Sequence, residues 1–114
     1  MKNERFIIKD IEKIEAIPTS HQIGLKKVLL SDSETISNIT QIAVTSLSAN
    51  EKIEKHIHPT MDEHYIFISG KGIIYIDDET FECTAGTFIL VPANSQHNLE
   101  VITDMKFITI GVAL

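Results

Sequence analysis

Two histidines spaced two apart, His56 and His58, followed by Glu63, Gly70 and, past Pro92, His97, constrain this chain more than any other feature. Alternate residues of a β-strand point to one face, roughly 7 Å apart along the backbone, so two imidazoles at this spacing can converge on one ion. Pro59 ends the strand, and Thr60-Met61-Asp62 is short enough to return the chain antiparallel with Glu63 opening the next strand. A carboxylate oxygen thereby joins two ring nitrogens. Gly70-Lys71-Gly72 reads as a hairpin turn ending a strand over 64–69. The pattern is that of a metal site built into a β-barrel.

The rest of the chain supports an all-β reading. Runs of apolar and polar alternation predict strands near 5–8, 25–30, 40–47, 52–58, 64–69, 72–76, 80–84, 87–91, 97–103 and 106–112. Asp77-Asp78-Glu79, Ala85-Gly86 and Asn94-Ser95 punctuate the second half with turn residues. Helical periodicity is confined to Asp10–Ala16, where Ile11 and Ile14 share a face behind an Asp N-cap and before Pro18, enough for one or two turns.

The stretch His56-Ile-His58-Pro-Thr-Met-Asp-Glu63-His-Tyr-Ile-Phe-Ile-Ser-Gly70 resembles the first conserved motif of the cupin superfamily. Gly86-Thr-Phe-Ile-Leu-Val-Pro92-Ala-Asn94-Ser-Gln-His97 resembles the second. The resemblance runs from about Leu25 to the end and implies a double-stranded β-helix, or jelly-roll, barrel of antiparallel strands. It also implies that His56, His58, Glu63 and His97 are the four ligands of one divalent transition metal ion. Three nitrogens and one oxygen suit Fe, Mn, Ni, Cu, Co or Zn alike and leave room for substrate. Asn50 and Asn94 replace glycines of the family pattern, and Asn tolerates the left-handed backbone such turns need. Val101 replaces an asparagine that often follows the second-motif histidine, which removes a polar contact.

Strand phase sorts the neighbouring side chains. If His56 and His58 face inward, Glu54 does too; with Glu63 go Tyr65 and Phe67, while His64 and Ile66 face outward. Tyr65 is the leading candidate for a proton donor beside the metal, and Glu54, Gln41 and Thr45 follow, depending on register. Phe88 and Leu90, or their alternates Ile89 and Val91, line the pocket, and Leu99 shares a face with His97. His21 sits in the Pro18-to-Gly24 loop and reads as a surface residue unless the N-terminal arm folds over the pocket. Cys83 excludes an internal disulfide by being alone, and in phase with Phe81 it fills a strand face.

A length of 114 residues allows one domain, read as an arm over 1–24 and a barrel over 25–114. The net charge of −6, with ten scattered basic residues, argues against a nucleic-acid partner. Neither an apolar run of membrane length nor a signal peptide is visible, so a cytoplasmic location and no membrane partner are expected. Strands 72–76 and 106–112 are apolar on both faces, which predicts a homodimer. Lys52, Lys55 and Lys106 are the cations nearest in sequence to the pocket strands, and no phosphate-cradling loop is present, so a neutral or monocarboxylate small molecule is the expected ligand. Two function classes follow: a metal-dependent enzyme, with dioxygenase-like chemistry ahead of isomerase or lyase chemistry, and a module that binds or senses a small ligand without turning it over.

Overall fold

β-branched and aromatic residues in alternation give eight antiparallel strands in a computed structural model that describes residues 6–114. They are β1 (Ile17–Pro18), β2 (Leu25–Ser31), β3 (Ile39–Leu47), β4 (Lys52–His56), β5 (Met61–Ile76), β6 (Glu79–Thr84), β7 (Phe88–Val91) and β8 (His97–Ala113). β5 and β8 pair along nearly their whole length, from Met61 opposite Ala113 to Ile76 opposite His97. β3 flanks the later half of β8 and β4 the earlier half, while β7 and β6 flank the two halves of β5. The long pair thus passes from one layer to the other, and the result is an all-β jelly-roll barrel.

Gly70 makes that passage feasible. The sequence predicts a hairpin there, but the strand runs straight through, and the register against β8 shifts three times between Phe67 and Gly72. Gly70 has φ 85°, and a Cβ on it would overlap the Asp104 carbonyl oxygen and Met105 of β8. It is a bulge glycine at a close backbone approach, so the expected strands 64–69 and 72–76 merge into one. The strands expected over 97–103 and 106–112 likewise merge into β8.

Other differences are local. Of the strand expected over 5–8, residue 5 lies outside the described residues and 6–8 join no ladder. The helical segment shrinks to one 3-10 turn, Ile11–Lys13, with Asp10 accepting from the Glu12 amide. β4 stops at His56 rather than residue 58. Ile17 and Pro18 pair with Lys26 and Leu25, so the arm enters the sheet before residue 25. Asn50 and Asn94 both take φ 71°, the left-handed conformation their turns require.

Cross-strand rows build the core. Ala43, Thr45 and Leu47 of β3 are buried on the inner face, and Thr45 registers with Phe107, which registers with Phe67. Phe67 and Phe107 are each 1% exposed, with ring centroids 5.4 Å apart, and Tyr65 stacks 5.9 Å from Phe67. This aromatic group fills the barrel below its open end. Cys83 is fully buried in the same core, and burial pushes its thiol up to about 11, as an inert packing residue requires.

Replacing Gly70 by Ala should destabilise the protein by about 3 kcal/mol or more, through left-handed strain plus a clash with backbone. Gly86→Ala has similar φ, 90°, but nothing within 4 Å, and should cost only about 1–2 kcal/mol. Urea unfolding of the two variants checks the ranking.

Candidate metal centre

The open end of the barrel gathers one side chain from each of four successive places in the chain. His56 ends β4 and registers with His97 at the start of β8; Glu63 lies early in β5; His58 sits in the loop between β4 and β5. One ligand atom from each of His56, His58, Glu63 and His97 lies within 4.8 Å of all the others. The loops are tied together to achieve this. The Asn94 amide donates to the His58 carbonyl oxygen at 3.0 Å, and the Ala93 amide to Asp62 Oδ1 at 2.9 Å. The turn before His97 is thereby fastened to the loop carrying His58.

Backbone carbonyls orient two of the rings. His56 Nδ1 donates to the Glu54 carbonyl oxygen at 2.7 Å, and His97 Nδ1 to that of Ser95 at 3.0 Å. A carbonyl can only accept, so Nδ1 carries the proton and Nε2 of each ring is turned into the cluster. Both Nε2 atoms are buried and, among the described residues, have no hydrogen-bond partner. Leaving such an atom unpaired costs about 1–3 kcal/mol. His58 Nε2 and His97 Nε2 stand 3.4 and 3.6 Å from Glu63 Oε1, too far or too poorly aimed to count as satisfied bonds. Two stranded lone pairs, a third imidazole and a carboxylate facing one point are what a divalent transition metal ion needs. The cluster could hold such an ion.

Electrostatics agree with that arrangement. Burial lowers the pKa of His56 below 6.5, and the neighbouring His97, His21 and His58 push the same way, against the Glu54 carbonyl. Burial alone would raise Glu63, yet its pKa is lowered, because the surrounding imidazoles and the Tyr65 hydroxyl outweigh it. Tyr65 donates to Glu63 Oε1 at 2.7 Å, and burial followed by the nearby carboxylate raises its own pKa well above 10. At neutral pH the cluster therefore presents neutral His56 and an ionised Glu63 braced by a protonated phenol.

The remaining sequence expectations divide. Tyr65 and Phe67 share the inner face with Glu63, and Ile89 and Val91, rather than Phe88 and Leu90, take the inner positions of β7. Gln41 and Thr45 line the cavity. His64 points outward and bonds through Nδ1 to the Ile110 carbonyl oxygen. Glu54 does not share the face of His56: Ile53 registers with Leu99 and His56 with His97, so β4 carries an extra residue there. That bulge reverses the phase and leaves the Glu54 side chain exposed; only its carbonyl serves the site.

His21 is the other correction. The arm folds over the open end and sets the ring 4.8 Å from that of His56, half-buried at the cavity mouth. Thr19 holds this loop by donating to the Ile23 carbonyl oxygen, and Gln22 and Gly24 take left-handed φ of 65° and 68°. Burial lowers the pKa of His21, with Glu63 opposing and His58, His97 and Lys26 assisting. Lys26 was missed altogether. The cations nearest in sequence to the pocket strands lie elsewhere, Lys52 paired with Glu100 at 3.8 Å and Lys55 and Lys106 exposed, whereas Lys26 lines the cavity. Its alternation with Val28 was the available signal, once β2 is known to register with β3.

The family profile described as a cupin domain matches residues 43–111. The chain belongs to the cupin family. Similar proteins include an uncharacterized protein of Methanocaldococcus jannaschii, 31% identical over 61 residues, which are 54% of this chain and 49% of that protein. The matched region thus spans about half the length of that relative. A predicted oxalate decarboxylase of Thermotoga maritima superposes with a TM-score of 0.84 at 19% identity, over 95% of this chain and 100% of that one. Ectoine synthase of P. lautus superposes with a TM-score of 0.83 at 19% identity, over 95% and 78%. At these identities the two structures establish the shared cupin fold.

Stoichiometric Zn(II) or Ni(II) should raise the melting temperature of metal-free protein by several degrees, since binding at a hundredfold excess over Kd contributes about 2.7 kcal/mol. His56→Ala should abolish the rise. Without metal, the unfolded chain binds more protons to His21 and His56 than the folded one below the unfolded pKa of 6.5. Metal-free stability should therefore fall as pH drops below 6.5 and level off below the folded values. Thermal melts across pH 5 to 8 check the sign.

Proposed function

We propose that this cupin is a metal-dependent enzyme acting on a small organic molecule, in a cytoplasmic setting. The observation that carries the reading is the pair of buried, partnerless Nε2 atoms of His56 and His97 facing Glu63 and His58 beside a cavity of about 210 Å³. That volume lies below the roughly 300 Å³ at which drug-sized sites begin. When bound, the ion supplies Lewis acidity toward a carbonyl or hydroxyl oxygen of the ligand.

The chain's own residues supply the rest. His56, His58, Glu63 and His97 hold the ion. Tyr65 sits at the cavity wall with its hydroxyl donating to Glu63 Oε1, so it keeps the carboxylate oriented and can relay a proton to a ligand that displaces that bond. Ile53, Met61 and Phe107 form the apolar wall that excludes water. Lyase or isomerase chemistry moves ahead of the dioxygenase-like alternative, because Tyr65, His21 and Lys26, which line the cavity beside the tetrad, are groups that can carry a proton. The name of one fold relative, a predicted oxalate decarboxylase, lies on the same side.

The associated oligomer is a homodimer, through a face that includes the expected strand 106–112 and takes β7 and the first half of β5 in place of 72–76. Phe88, Ile66 and Ile108 form one outward row across β7, β5 and β8, and Leu90, His64 and Ile110 the next. Phe88 is 59% exposed and Leu90 44%. A second copy packed on this three-stranded face would cover it.

Elemental mass spectrometry on tag-free protein should find close to one transition metal per chain, lost in His58→Ala. Proton NMR with a panel of small oxo- and hydroxyacids should then reveal a converted compound whose turnover falls at least a thousandfold in Glu63→Ala. Metal uptake with ligand binding but no conversion would favour the binding module. For the oligomer, sedimentation at micromolar concentration should show a dimer, and Phe88→Glu with Leu90→Glu should return the 12.8 kDa monomer. A monomeric wild type would sink that assignment.

A further inference from the structure

Lys26 is the charged inner-wall side chain that the metal centre leaves unused. Its position is set by register: Lys26 faces Thr45, which faces Phe107, which faces Phe67. Thr45 is 6% exposed and the two phenylalanines 1%, so this row is the inner face of the barrel. An ammonium so placed must find polar company. It does so by running along the barrel, and Nζ donates to Gln41 Oε1 at 3.1 Å. Gln41 registers with Gly111, and Gly111 with Glu63, so the ammonium ends on the row of Glu63 at the level of the metal centre.

That contact satisfies one of three N–H donors. Among the described residues no carboxylate lies within ion-pairing distance of Lys26, and Glu63 is the one carboxylate among the described residues lining the cavity. With a divalent ion on the tetrad, the cavity is positive although the whole chain carries −6. A focused positive cleft in an acidic protein selects an anion. The wall offers a single ammonium and no guanidinium, with the Gln41 amide and the hydroxyls of Thr45 and Thr109 on the inner face and Thr19, Ser20 and His21 also lining the cavity; one fixed cation suits a singly charged carboxylate better than a phosphate.

We propose that Lys26 is the anion anchor of this pocket. The ligand it selects is a small monocarboxylate, with its carboxylate on Lys26 Nζ and its other end at the His56, His58, Glu63 and His97 cluster. Gln41 is the positioning residue that aims the ammonium. This inference rests on the cavity being the ligand site of a metal-binding protein.

The test is calorimetric titration of the Zn(II)-loaded full chain with 2-oxobutanoate, its neutral amide 2-oxobutanamide, and inorganic phosphate, with metal content measured on every sample. The oxoacid should bind wild type more tightly than either comparator, and its affinity should fall with salt. Lys26→Met should weaken it by about tenfold or more without changing affinity for the amide, and Lys26→Arg should restore it to within a few-fold. Equal oxoacid affinity in wild type and Lys26→Met would overturn the anchor, as would amide or phosphate binding as tightly as the oxoacid, or no binding by wild type. The two readings fail separately. A chain that takes up no metal yet binds the oxoacid through Lys26 removes the metal reading and supports the anchor; one that holds metal but is indifferent to Lys26 does the reverse.

Discussion

The ladder between β5 and β8 is the interaction on which everything else depends. It joins Met61–Ile76 to His97–Ala113 and passes from one layer of the barrel to the other. Its beginning carries Glu63 and its far partner strand begins at His97, so closing the barrel is the same event as assembling the candidate site. Bending so long a pair without breaking its hydrogen bonds needs places where the register slips. Those places are the bulges around Gly70, where absence of a side chain lets β8 approach.

Once the barrel closes, the site is shaped by competition between burial and partnering. Carbonyl oxygens of Glu54 and Ser95 take the Nδ1 protons of His56 and His97, and the hydroxyl of Tyr65 takes one side of Glu63. What is left over, two bare Nε2 atoms and the faces of His58 and Glu63, points to a common centre. An apolar floor of Tyr65, Phe67 and Phe107 denies these atoms water from below. The polar groups are thus arranged so that an ion, rather than solvent, completes them.

Much of this was legible along the chain. Glu63, Tyr65 and Phe67 fall on one face by simple alternation, and His64 on the other, because β5 has no bulge between them. The tetrad was legible because His56, His58, Glu63 and His97 stand within two short motifs containing Pro59 and Pro92, residues that cannot donate to a ladder and so mark the loops between inner strands. Glu54 was misplaced by the same rule that placed Tyr65: period two holds only while the ladder is regular, and one extra residue between Ile53 and His56 reverses it. The hairpin expected at Gly70 failed similarly, since a left-handed glycine serves a turn or a bulge equally well.

By itself the sequence determined the strand-rich class, the resemblance to cupins, the four clustered side chains and the left-handed turns at Asn50 and Asn94. These follow from chemistry a few residues wide: pleat phase, proline stops and the backbone tolerance of Asn and Gly. Tertiary structure alone decided that β5 and β8 are single long strands, that His21 swings over the cavity mouth, and that Lys26 and Gln41 face the site across it. The physical reason is distance. Lys26 and Glu63 are brought to one cavity by registers through β3 and β8, and each register depends on bulges and packing that no local window contains.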